Sequence, residues 1–175
     1  LFYPWADQAY KAPTDKGRRR QLLYWGYIGN KIDYERVISL ADFVAMRGLD
    51  LEIVFVGPQY QEGRWLDVLA RHPVVTVRSE APLNAMPLED VLAVLVPYKT
   101  GVKAIDAIVL PNKALQVLAR GLPLIITGMP EFLDAPFVFR LGASDTDTEE
   151  LFQMVERNFY SLQPMIAEFV KANSA

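Results

Sequence analysis

Cysteine is absent from this chain of 175 residues, and histidine occurs once. The first absence excludes disulfides, thiol nucleophiles and cysteine-based metal sites, and the second excludes a histidine-rich metal centre built within the chain. No apolar run approaches the ~20 residues that cross a bilayer. The chain starts at Leu1, without a methionine or a signal-peptide pattern, so a piece of a longer protein is expected. A net charge of −3 lacks the basic excess of a nucleic-acid binder, so no nucleic-acid partner is expected. What remains is ordinary globular composition, 51% hydrophobic and 22% charged. A chain of this length suits one domain able to bury roughly 70% of its unfolded surface.

Apolar periodicity orders the chain. Residues 1–20 carry prolines at 4 and 13 and no sustained period, and read as a lead-in or interdomain linker. Lys16 and Arg18 to Arg20 form a basic cluster there, either a solvated turn or a contact for anionic lipid or phosphate. QLLYWGYI (21–28) predicts a first strand that ends among glycines. Val37, Leu40, Ala41 and Val44 recur at helical spacing within 33–47, with Asp33 as N-cap and Gly48 as stop. LEIVFVG (51–57) is the near-continuous apolar run of a strand covered on both faces.

The cycle then repeats, with a helix over 61–71, a strand over 74–78, a proline-broken turn over 81–90 and an apolar strand over 91–98. A loop covers 98–109, followed by a helix opening at Pro111 and a strand over 122–127. A last strand at 136–141 and helices over 146–160 and 162–173 complete the pattern. Alternation of this kind predicts an α/β open sheet with parallel strands and helices on both faces. The main body is 21–160, and 161–175 form a closing helix. Ligands of such sheets bind beyond the carboxyl ends of the strands, which points to the loops after 27, 57, 78, 97 and 127.

The stretch LPNKALQVLARGLPLIIT (110–127) holds the most informative polar residues. Proline suits the first position of a helix. At about 100° per residue, Ala114, Leu115 and Leu118 should face the sheet, with Lys113, Gln116, Val117 and Arg120 on the other side. A lysine in a first turn opposes the helix dipole, so Lys113 is either an exposed surface residue or the partner of an anion bound there. GYIGN (26–30) is either a tight turn or a close backbone approach to phosphate. Tyr98 and Lys99 follow one strand and Arg78, Ser79 and Glu80 another, as strand-end residues or as ligand contacts. His72 reads as a helix-end cap, and Asp145 and Asp147 as N-caps.

In this order the motifs resemble the C-terminal, donor-binding domain of GT-B glycosyltransferases. Many bacterial members carry a pattern like P-x-K-x-x-E-x-L-A-x-G-x-P-V-V-x-T, which Pro111, Lys113, Gln116, Leu118, Ala119, Gly121, Pro123, Leu124, Ile125 and Thr127 match in this chain. LLYWGYIG and DVLAVLVPY match the opening segment and the strand before the loop, so the likeness covers about 20–160. The resemblance implies a Rossmann-like, nucleotide-sugar-binding half of a GT-B fold. It implies an enzyme that transfers a sugar from a nucleotide diphosphate sugar, UDP-linked, to a glycan or lipid-linked acceptor in polysaccharide biosynthesis.

By the same resemblance Lys113, with Asn112 and Gly29, binds the diphosphate, and Gln116 stands where a glutamate usually holds the ribose. Tyr98, Glu80, Ser79 and Thr127, by their place at strand ends, are further candidates for nucleotide or sugar contact. The Lys-x-x-Gln form is similar to xanthan-type glucuronosyltransferases. Retaining members place an acid eight residues before the ribose glutamate, and Ile108 occupies that position here. The implied chemistry needs no metal or other cofactor, and the catalytic base belongs to an N-terminal domain outside this chain. The fragment alone is then expected to bind donor without transferring it. The full-length protein is expected in the cytoplasm, peripheral on the inner face of the plasma membrane. Two other readings are a nucleotide-sugar 2-epimerase half and a non-catalytic α/β interaction domain.

Overall fold

A computed structural model describes residues 9–14, 17–59, 64–142 and 144–174. The chain folds as six parallel strands in the order β3-β2-β1-β4-β5-β6. The strands are β1 (Gln21–Trp25), β2 (Glu52–Val56), β3 (Val75–Arg78), β4 (Val91–Pro97), β5 (Leu124–Thr127) and β6 (Val138–Arg140). Helices α1 (Tyr34–Met46), α2 (Arg64–Arg71), α3 (Lys103–Asp106), α4 (Asn112–Leu118), α5 (Asp145–Asn158) and α6 (Gln163–Asn173) connect or close them. The chain builds outward from β1 to β3, then returns to lay β4 on the other side of β1. The carboxyl ends of β1 and β4 are therefore the switch point, where the connections diverge and leave a crevice.

The strands that carry this crevice are the most apolar. Every residue of β4 is buried, as are Leu22 to Tyr24 of β1 and Ile53 to Val56 of β2. Side chains alternate across a sheet, so burial of consecutive residues means that both faces are covered. On α1 the expected stripe of Val37, Leu40, Ala41 and Val44 is buried, joined by Phe43. Asp33 caps that helix by accepting from the Arg36 amide at 3.1 Å. The turn over 81–90 contains a single 3-10 turn at Leu83–Ala85, as two prolines allow.

Several expectations need correction. The first strand stops at Trp25 because Gly26 adopts φ 141°, a conformation that ends an extended run. The 98–109 loop includes the short helix α3. Pro111 takes the N-cap position with extended backbone, one residue before the first helical residue. Val117 is buried with Ala114, Leu115 and Leu118, because so short a helix is enclosed on more than one side. Ser144, rather than Asp145 or Asp147, caps α5: its hydroxyl accepts from the Asp147 amide, and the two aspartates occupy the first turn.

The lead-in, where described, is docked. The Lys11 amide donates to Ala119 O at 2.8 Å, and the Tyr10 hydroxyl donates to Gln163 Oε1 at 2.7 Å. Gln163 Nε2 in turn donates to the carbonyls of Gly121 and Phe159, fastening α6 to the turn before β5. The basic cluster is dispersed. Arg18 pairs with Glu156 at 3.0 Å, Arg20 pairs with Asp50 at 3.1 Å, and Arg19 turns inward, while Lys16 lies outside the described residues. No helix among the described residues is long and apolar enough to cross a membrane.

Candidate nucleotide site at the carboxyl ends of the strands

Lys113 sits in the first turn of α4 and reaches towards the carboxyl end of β1. Its Nζ stands 4.3 Å from the centroid of the Tyr24 ring and 4.8 Å from that of Tyr98. Both rings present a favourable electrostatic face to an ammonium at that range. No described residue accepts a hydrogen bond from this ammonium or pairs with it as a carboxylate. Burial, reinforced by the nearby Lys31 charge, lowers its pKa to about 7. A lysine held this way gives up part of its charge near neutral pH, and a neighbouring anion would favour the charged form again.

The floor beneath Lys113 is Gly26. A Cβ at Gly26 would lie 3.4 Å from Lys113 Nζ, and φ of 141° disfavours any side chain there. Gly57, after β2, is more constrained, since an added Cβ would fall 1.8 Å from the carbonyl oxygen of Gly26. The two backbones touch, and the Gly26 amide donates to Val56 O at 3.0 Å. This contact forms the base of a pocket of about 420 Å³ lined by Trp25, Gly26, Gly57, Pro58, Glu80, Ala81 and Pro82. Trp25 is oriented by its indole N–H, which donates to Ala81 O at 2.9 Å. The pocket has flat apolar walls in Trp25, Pro58 and Pro82 and one carboxylate in Glu80. It shares Gly26 with the Lys113 ammonium.

The other expected site residues divide into several groups. Tyr98 lies beside Lys113, and its carbonyl accepts the Thr127 hydroxyl at 3.0 Å, which ties the ends of β4 and β5 together. Burial raises the pKa of the Tyr98 hydroxyl. Gln116 is one turn from Lys113 and half-buried, with no hydrogen bond to a described residue, while Asn112 is exposed. Glu80 reaches the pocket; Arg78 and Ser79 are exposed at the end of β3 and do not line it. Gly29 is buried beneath the Tyr27 ring, 2.3 Å from where its Cβ would be, and its carbonyl accepts from the Tyr34 hydroxyl at 3.0 Å. Ile108 packs against the core. His72 accepts from the Val74 amide through Nδ1 and meets Asp42 at 3.1 Å, a helix-end role.

Trp25, Gly57, Pro58 and Tyr24 were not singled out by sequence reasoning. Their one signal is position: Tyr24 and Trp25 close the apolar strand β1, and Gly57 and Pro58 directly follow β2.

No protein-family model matches the chain, and no curated protein matches it in sequence. Solved structures do match in fold. The lipopolysaccharide outer core galactosyltransferase WaaB matches with a TM-score of 0.56 at 14% identity, over 97% of this chain and 49% of that one. The pneumococcal O-GlcNAc transferase GtfA, in complex with UDP and GlcNAc, matches with a TM-score of 0.57 at 9% identity, over 95% of this chain and 35% of that one. The catalytic domain of cholesterol-alpha-glucosyltransferase from Helicobacter pylori gives 0.53 at 16% identity, over 88% of this chain and 97% of that domain. The chain thus spans half or less of the length of the WaaB and GtfA chains. With its six parallel strands in Rossmann-like order, the chain has the fold of one domain of the GT-B glycosyltransferases.

Proposed function

We propose that this domain is the donor-binding half of a glycosyltransferase, and that it holds a nucleotide diphosphate sugar, UDP-linked, at the switch point between β1 and β4. The observation that carries this reading is the unpaired Lys113 ammonium, set against Gly26 beside a pocket that shares the same glycine. The base lies in the pocket against Trp25 and the two prolines, the diphosphate meets Lys113, and the ribose meets Gln116. A glutamine retains one acceptor oxygen and adds two donors, so it can still hold ribose hydroxyls.

In transfer, the bond from the anomeric carbon to the diphosphate oxygen breaks, and negative charge grows on the leaving group. A charged group already in place stabilises that change without reorganising. Lys113 supplies this charge, so the proposal contains no metal, and EDTA should leave nucleotide affinity unchanged. The proposed acceptor is a glycan or lipid-linked sugar, and neither its site nor the base that deprotonates it is assigned to these residues.

Calorimetric titration with UDP, GDP and ADP tests the reading, and the Lys-x-x-Gln form makes UDP-glucuronate the first sugar donor to try. UDP should bind most tightly. Lys113→Ala should weaken binding by ~1.5–3 kcal/mol, the range for hydrogen bonds to charged groups. Gln116→Ala should cost less, and the loss should persist with UMP. A folded domain that binds none of the three diphosphates overturns the proposal.

A further inference from the structure

We infer that the opposite end of the sheet holds a second, anion-binding site, built on Arg120, Arg19 and Lys11. A cavity of about 300 Å³ opens there between the docked lead-in and the segment around the 3-10 turn. Its polar lining includes Lys11, Thr14, Arg19, Asn84, Glu89 and Arg120. Arg19 precedes β1, Glu89 precedes β4 and Arg120 precedes β5, so the cavity sits at the amino ends of the strands, away from Lys113.

Charge balance is the central observation. Arg19 is 4% exposed, donating through Nη1 to Leu88 O and Val91 O and through Nη2 to Thr14 O. Its guanidinium stacks 4.2 Å from the Phe159 ring centroid, and its Nε has no partner. Arg120 is half-buried, its Nε is likewise buried without a partner, and it makes no hydrogen bond to a described residue. Neither arginine is in an ion pair among the described residues.

A buried charge without an opposite charge is costly. Two guanidiniums therefore meet in one cavity with unused donors, and Lys11 adds a third cation, against one carboxylate, Glu89, among the described lining residues. Guanidinium donors match the oxygens of a phosphate: Arg120, which makes no hydrogen bond to a described residue, can offer two parallel bonds, and Arg19, held by three carbonyls, adds its charge beside them. The ligand class is a phosphate group, either that of a small phosphorylated molecule or that of an anionic lipid headgroup.

Thermal unfolding is followed as inorganic phosphate replaces chloride at constant ionic strength. The midpoint should rise with phosphate, because the ligand binds the folded chain only. Asn84→Asp places a carboxylate on the exposed rim without disturbing the core, and should weaken phosphate about tenfold by adding one repulsive charge. Arg120→Gln should abolish the effect. Should that variant fail to fold, Lys11→Gln, at an exposed position, is expected to weaken phosphate at least threefold. The loss of phosphate effect caused by Asn84→Asp should be the same in the native and the Lys113→Met background, which separates this site from the nucleotide site.

Sedimentation with phosphatidylglycerol vesicles, but not with phosphatidylcholine vesicles, and its loss in Asn84→Asp, would assign the phosphate to lipid. A saturable phosphate effect without vesicle binding would assign it to a small ligand. No rise with phosphate, or a rise that survives Asn84→Asp and disappears in Lys113→Met, overturns the inference.

Discussion

Gly57 and Gly26 meet backbone to backbone: a methyl group added to Gly57 would stand 1.8 Å from the Gly26 carbonyl oxygen. The contact joins the chains leaving β1 and β2 and sets the floor of the pocket beside Lys113. Gly57→Ala should therefore push those segments apart. Overpacking usually costs about 1–3 kcal/mol, and a clash with backbone belongs at the upper end of that range. Gly101→Ala is the control, because nothing lies within 4 Å of its added Cβ and only its φ of 74° opposes the change. Urea unfolding should show Gly57→Ala to be the more damaging of the two, and UDP affinity should fall in that variant alone.

Lys113 should make stability depend on pH. Its pKa falls from 10.5 in an unfolded chain to about 7 in the folded one. Between those values the unfolded chain binds the extra proton, so stability rises with pH across that window. Below pH 7 both states carry the proton, and the folded state bears the full cost of burying it. Lys113→Met should thus be more stable than the native chain at pH 6, with the gap narrowing steadily up to pH 9. Chemical denaturation at several pH values checks this, and a gap independent of pH would contradict it.

The same lysine should give nucleotide binding a pH dependence of opposite sense. A diphosphate favours the charged ammonium and raises its pKa, so binding is coupled to proton uptake above pH 7. UDP affinity should decline as pH rises from 7 to 9, by up to about tenfold per unit. Calorimetry at pH 8 in buffers of different ionisation enthalpy should register uptake of about one proton. Lys113→Ala should flatten the profile.

Arg19 should resist conservative replacement. Its guanidinium spans the carbonyls of Thr14, Leu88 and Val91 and stacks on Phe159. A lysine ammonium is a point charge that cannot span three chain segments and stack as well. Arg19→Lys should cost about 2 kcal/mol or more in urea unfolding, since each buried carbonyl left without a donor carries its own penalty. An unchanged midpoint would show that these bonds contribute nothing net.

What the chain determined by itself is its layered α/β architecture. The buried runs of β1, β2 and β4 and the stripe on α1 are periodic over several residues, and period follows directly from local backbone geometry. Asp33 as a cap and the polar pair Lys113 and Gln116 were legible for the same reason, because each depends only on neighbours within one turn of helix. Ser144 in place of Asp145, and Pro111 at the cap itself, show that such local signals locate an element end only to within a residue or so.

Tertiary structure alone decided where charges lie and which of them are matched. Arg18, Arg19 and Arg20 look alike in sequence, yet two find surface carboxylates and the third is drawn into the core over Phe159. Val117 sits on the side expected to face solvent, and neighbours from elsewhere in the chain cover it. The lowered pKa of Lys113 comes from its burial, where Tyr24 and Tyr98 close over it from two strand ends, and then from the Lys31 charge in a loop. Desolvation and Coulomb interaction act through space, and residues 24, 31, 98 and 113 become neighbours only once β1 and β4 lie side by side.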